Sequence, residues 1–143
     1  MDNEQSRPPL TEFNFGQGPE GVIFEETVSV VEGVECDVYC VKDDISKDLG
    51  IIRIALGHKT PLQRVLKGEK TVEGHVSGEG VLVITRTDGN EEIYPVSEDV
   101  NQHFSIDVGI GEKMQWQASE NSHLEAFEIC IPPYEEGRYE DIE

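Results

Sequence analysis

The chain has 143 residues, with 11 Lys plus Arg against 30 Asp plus Glu, for a formal net charge of −19. A surface of that sign repels phosphate backbones and anionic lipid headgroups, which argues against nucleic-acid and membrane partners. The length fits one domain, no apolar run approaches the roughly 20 residues of a membrane-spanning helix, and the acidic start Met1-Asp2-Asn3-Glu4 is not followed by the apolar stretch of a signal peptide.

Residues 1–20 contain Arg7-Pro8-Pro9, Gly16, Gly18 and Pro19 and few apolar side chains. They are expected to form an arm without its own core, lying along a partner subunit, with the folded domain over 21–143. Val22 to Val31 is the first β-rich run, and Gly33 breaks it. Val34 to Val41 alternates, with Val34, Cys36, Val38 and Cys40 on one face and Glu35, Asp37, Tyr39 and Val41 on the other. The spacing of Cys36 and Cys40 is therefore that of core packing. With Cys130 they make an odd number without zinc spacing, as expected of free thiols in a reducing cytoplasm. Asp43 to Asp48 reads as a polar loop, and Ile51 to Leu56 as a strand ended by Gly57.

Val72 to His75 and Val81 to Thr87 read as strands separated by Gly78-Glu79-Gly80. Asp88-Gly89-Asn90 is a hairpin signal, because Asp-Gly readily adopts the positive φ a tight turn requires. Glu92 to Val96 returns from it, and Phe104 to Val108 alternates again. Lys113 to Ala118 and Leu124 to Ile131 pair across Ser119 to Ser122, and Pro132-Pro133 stops the last strand. The acidic tail from Tyr134 to Glu143 is expected to hold a helical turn at most. No stretch shows a 3.6-residue apolar period. The pattern predicts an all-β antiparallel sandwich or barrel.

Two stretches resemble the motifs of the cupins. One is Gly57-His58-Lys59-Thr60-Pro61-Leu62-Gln63 with Thr71-Val72-Glu73-Gly74-His75-Val76-Ser77-Gly78-Glu79-Gly80. The other runs from Met114-Gln115-Trp116-Gln117-Ala118 to Ile129-Cys130-Ile131-Pro132-Pro133-Tyr134. The resemblance implies a single jelly-roll β-barrel, the double-stranded β-helix, and a homodimer that exchanges edge strands. It also implies a metal held by two histidines one residue apart, a carboxylate and a third histidine. Those positions fall on Gln63, Val65, Thr71 (or Glu69 by forward counting) and Met114. No metal and no cofactor is therefore expected at the usual site.

Alternation puts Thr71, Glu73 and His75 on one face, and Met114 with Trp116 on another. If the family register holds, both point inward. The expected site binds a small organic ligand through Gln63, Thr71, Met114 and Trp116, with Glu73 and His75 as an acid–base pair. Two other readings leave Glu73-Gly74-His75 on a solvated face or at a subunit interface, and Trp116 either stacks on a ligand or packs the core. The remaining histidines, His58, His103 and His123, are isolated, so a metal site would need separate strands. Cys130 reads as packing, and Lys67-Gly68-Glu69-Lys70 as a solvated turn. No nucleophile elbow, phosphate loop or dinucleotide fingerprint is present. The expected function is a small cytoplasmic cupin-like protein binding a small organic ligand, a sugar-like one among the candidates, without the usual metal. The alternatives are a metal-dependent cupin oxygenase or isomerase with rearranged ligands, and a non-catalytic binding or regulatory module.

Overall fold

The computed structural model describes residues 9–98 and 104–142, so His103 lies outside the described residues. Among them are twelve strands and no helix: β1 (Glu12–Asn14), β2 (Pro19–Val31), β3 (Val34–Val41), β4 (Asp44–Ile54), β5 (Gln63–Val65), β6 (Lys70–Gly78), β7 (Gly80–Thr85), β8 (Glu91–Val96), β9 (Ser105–Val108), β10 (Lys113–Ala118), β11 (Leu124–Ile131) and β12 (Tyr139–Asp141). They form a seven-stranded sheet in the order β1-β2-β3-β4-β11-β6-β9 and a five-stranded sheet in the order β12-β5-β10-β7-β8. Every pairing is antiparallel. From β4 onward the chain crosses between the sheets repeatedly. That winding rolls them into a jelly roll and brings β11 between β4 and β6.

The period of two explains two separate cores. The inward residues of both sheets meet in one cluster, including Val34, Ile52, Ile54, Leu82, Ile84, Trp116 and Leu124. The alternate residues of the large sheet, Tyr39, Val41, Leu49, Ile51 and Ile129, form a second cluster on its outer face. Phe13 and Phe15, from the expected arm, pack on that outer face, and the Phe13 ring lies 5.0 Å from Phe15 and 5.1 Å from Phe127. Fully burying one such aliphatic side chain is worth about 1.5–3 kcal/mol, so both faces of β3 and β4 contribute to stability.

The structure corrects two expectations. The Asp43 to Asp48 segment is not a loop: the turn is confined to Lys42-Asp43, with Asp43 at φ 61°, and β4 begins at Asp44. Its polar residues suit an exposed strand start, where Lys47 bridges Asp44 at 3.0 Å and Glu20 at 3.2 Å. The tail holds a short strand rather than a helical turn, since Tyr139–Asp141 pairs with β5. Within the stretch expected as an arm, Glu12–Asn14 pairs with β2.

Candidate functional site

Between the sheets lies a cavity of about 550 Å³, well within the range of small-molecule sites. One register row crosses the large sheet beneath it: Val38, Gly50, Glu128 and Glu73 stand opposite one another on β3, β4, β11 and β6. Gly50 supplies no side chain to that row, and a Cβ there would come within 2.9 Å of the Cys36 sulfur. The floor beside the two glutamates therefore stays open. Trp116 and Met114 of β10 form the opposite wall, and Val28, Ser29 and Val30 of β2 stand at one side.

Glu73 is completely buried. Its Oε1 accepts a hydrogen bond from Trp116 Nε1 at 2.7 Å, and its Oε2 has no partner. Burial, reinforced by the neighbouring negative charge of Glu128, raises its proton affinity well above the ordinary range, and the Trp116 bond opposes that only in part. Glu128 is raised as well, chiefly by burial. Its carboxylate accepts from the Tyr139 hydroxyl and, at 3.8 Å, from the Cys130 thiol. The Tyr139 oxygen also meets the Cys130 sulfur at 3.1 Å and the Thr71 hydroxyl at 3.3 Å. Burial pushes the Tyr139 hydroxyl and the thiols of Cys130 and Cys36 upward, so all three stay protonated. Asp48, with the backbone N–H of Tyr134 at 2.9 Å, is raised by burial too.

Of the residues expected at the site, Gln63, Glu73, Met114 and Trp116 line the cavity. Thr71 is buried behind Tyr139. His75 is not part of the cavity wall; its Nε2 donates to the Gly78 carbonyl oxygen at 2.9 Å. His58 packs over Gly33, and His123 is exposed. Lys67 and Lys70 pair with Glu135 and Asp107 at 3.6 and 3.0 Å. The sequence reading missed Glu128, Tyr139 and Asp48. For Glu128 a signal existed: Leu124, Ala126, Glu128 and Cys130 alternate on β11, and a carboxylate on an otherwise apolar face marks a buried functional group.

The metal that the motif resemblance implies does not fit these residues. At its ligand positions stand the Gln63 amide, which donates to Asp141 at 3.1 Å, the core side chains Val65 and Met114, and the Thr71 hydroxyl. Among the described residues no three His, Cys, Asp or Glu side chains gather in a metal-holding arrangement.

No protein-family model and no curated protein matches the sequence. Solved structures do match by shape. Bacillus subtilis oxalate decarboxylase superposes with a TM-score of 0.67 at 12% identity, over 82% of this chain and 30% of that one, so this chain spans less than a third of its length. A cupin-2 domain protein of Rhodospirillum rubrum gives 0.61 at 12% identity over 96% and 83%. The Streptomyces nucleoside dehydratase Pac13 gives 0.59 at 18% identity over 82% and 83%. These likenesses, with the rolled antiparallel sheets and their inward-facing pocket, establish that the chain has the fold of the cupin superfamily.

Proposed function

We propose that the protein binds a small organic molecule in the barrel and moves protons on it with the carboxyl pair Glu73 and Glu128. The observation that carries this reading is the buried, unpartnered Oε2 of Glu73 in the wall of a ligand-sized cavity. A carboxyl in that setting holds its proton until a ligand takes or displaces it, while Glu128, steadied by Tyr139, is the acceptor. Glu128 takes the place first expected for His75, whose ring is engaged with Gly78. A fold neighbour of similar size is described as a nucleoside dehydratase and was solved with uridine, which supports a ligand bearing hydroxyl groups, a sugar-like molecule among them.

The test is solvent-proton exchange. Sugars, amino sugars and aminoketones incubated with the protein in D₂O should be compared, and the compounds that bind should gain deuterium next to their carbonyl carbons. Glu73→Gln and Glu128→Gln should each slow that exchange by about a hundredfold or more. Exchange that persists undiminished in both variants would refute the acid–base role. The proposal includes a cytoplasmic location, which suits three free thiols, and a homodimer. No helix of the described residues is long and apolar enough to cross a membrane.

A further inference from the structure

The cavity wall carries acids and no bases. Glu73, Glu128 and Asp48 stand in its floor, and Glu25 and Glu26 of the exposed strand β2 stand at its rim. No Lys, Arg or His belongs to the wall among the described residues. The nearest buried cation, Arg138, is turned away. Its guanidinium donates to the carbonyl oxygens of Pro132 at 2.8 Å, Lys70 at 2.7 Å and Ile131 at 3.3 Å, so its N–H groups are engaged by backbone and its charge reaches Glu128 and Asp48 only from behind the wall. The other half of the wall is apolar, from Val28, Val34, Val38, Ile52 and Met114.

We infer that the ligand is a cation, an organic ammonium with an apolar body, whose charged nitrogen sits at Oε2 of Glu73 and whose body lies against the valines and Met114. The inference rests on the cavity reading above and names its ligand class. An anion would find no Lys, Arg or His in the wall to receive it, and burying it there would be costly. A neutral hydroxyl would satisfy Oε2 by one hydrogen bond, whereas an ammonium adds the charge-assisted bond that is roughly twice as strong. The titratable groups that share the wall with Glu73 are Glu128, Asp48, Cys36, Cys130, Tyr139, Tyr134, Glu25 and Glu26, with Arg138 behind Thr71. The thiols and Tyr139 stay protonated, so the proton that an arriving ammonium displaces comes from a carboxyl group.

Isothermal titration of the full chain with benzylammonium, benzyl alcohol and benzoate separates the possibilities, because the three share one apolar body. Benzylammonium should bind about tenfold or more tightly than benzyl alcohol, and benzoate should not bind. Its observed enthalpy should differ between phosphate and Tris buffers, reporting proton release, and Glu73→Gln should remove both the preference and the buffer dependence. If Glu73→Gln does not fold, Glu128→Gln should show the same losses. Val38→Trp, which fills the cavity, should abolish binding of both the ammonium and the alcohol. Equal binding of the alcohol and the ammonium, or binding of benzoate, would overturn the ligand class while leaving the cavity reading intact. Failure of all three to bind, or binding that survives Val38→Trp, would overturn both.

Discussion

The indole N–H of Trp116 has one acceptor, Glu73 Oε1, and that bond sits where neither group meets water. Trp116→Phe should leave a buried carboxyl with both oxygens unpaired and cost about 1–3 kcal/mol, measured by urea denaturation. A change below a few tenths of a kcal/mol would show that the bond is not formed. Glu73 also predicts a pH effect. Its proton affinity is raised in the folded state above the ordinary glutamate value of 4.5. Between those two values the folded protein holds a proton that the unfolded chain has released, so this group's contribution to stability falls as pH rises through that window. Glu128 acts in the same direction. The neutral amide of Glu73→Gln removes one such dependence. The melting temperature of the variant relative to the parent should therefore be higher at about pH 8 than at about pH 5. A difference that does not change with pH would contradict the assignment.

Strand β12 shows what an element can owe to one side chain. Arg138 precedes it, is 1% exposed, and its guanidinium ties together the carbonyls at the end of β11 and the start of β6. Gly68 makes room for it: a Cβ there would lie 2.4 Å from the guanidinium, at a φ of 96° that already favours glycine. Arg138→Met should leave several buried carbonyls unpaired, cost about 3 kcal/mol or more, and expose the tail to limited proteolysis ahead of global unfolding. Uniform resistance of the tail in the variant would argue against that anchoring role. These same elements mark the limit of what the sequence conveys. Long strands such as β3, β10 and β11 were legible because alternation and turn residues agree in them. The short β5 and β12 were not, because three-residue strands have too few positions for a period and are held by distant partners. At the site, Glu73 and Trp116 could be placed together from face alternation and the motif resemblance. Glu128 was legible from its place in the alternation of β11, whereas the facing of Tyr139 and Asp48 depends on cross-strand register, which one chain position does not encode.

At the scale of the whole molecule two properties stand out. The net charge of −19 makes the folded state repel itself, so melting temperature should rise with added sodium chloride as the charges are screened. A flat or falling response would show that ion pairs such as Arg53 with Asp37 at 2.6 Å outweigh that repulsion. The second is β2, which beyond its pairing with β1 runs along the edge of the large sheet with Ile23, Val28, Val30 and Val31 exposed. Such edges invite pairing with another chain, and Ile23→Lys should convert the proposed homodimer to a monomer in light scattering. An unchanged mass would remove this edge from the interface.

All of the site chemistry depends on whether the barrel keeps a carboxyl group neutral beside the cavity. The direct measurement is a ¹³C NMR titration of the Glu73 side-chain carboxyl carbon in the intact protein, assigned by its loss in Glu73→Gln. The midpoint should lie well above 4.5, with a second perturbed transition from Glu128. A single ordinary midpoint at or below that value would contradict the account.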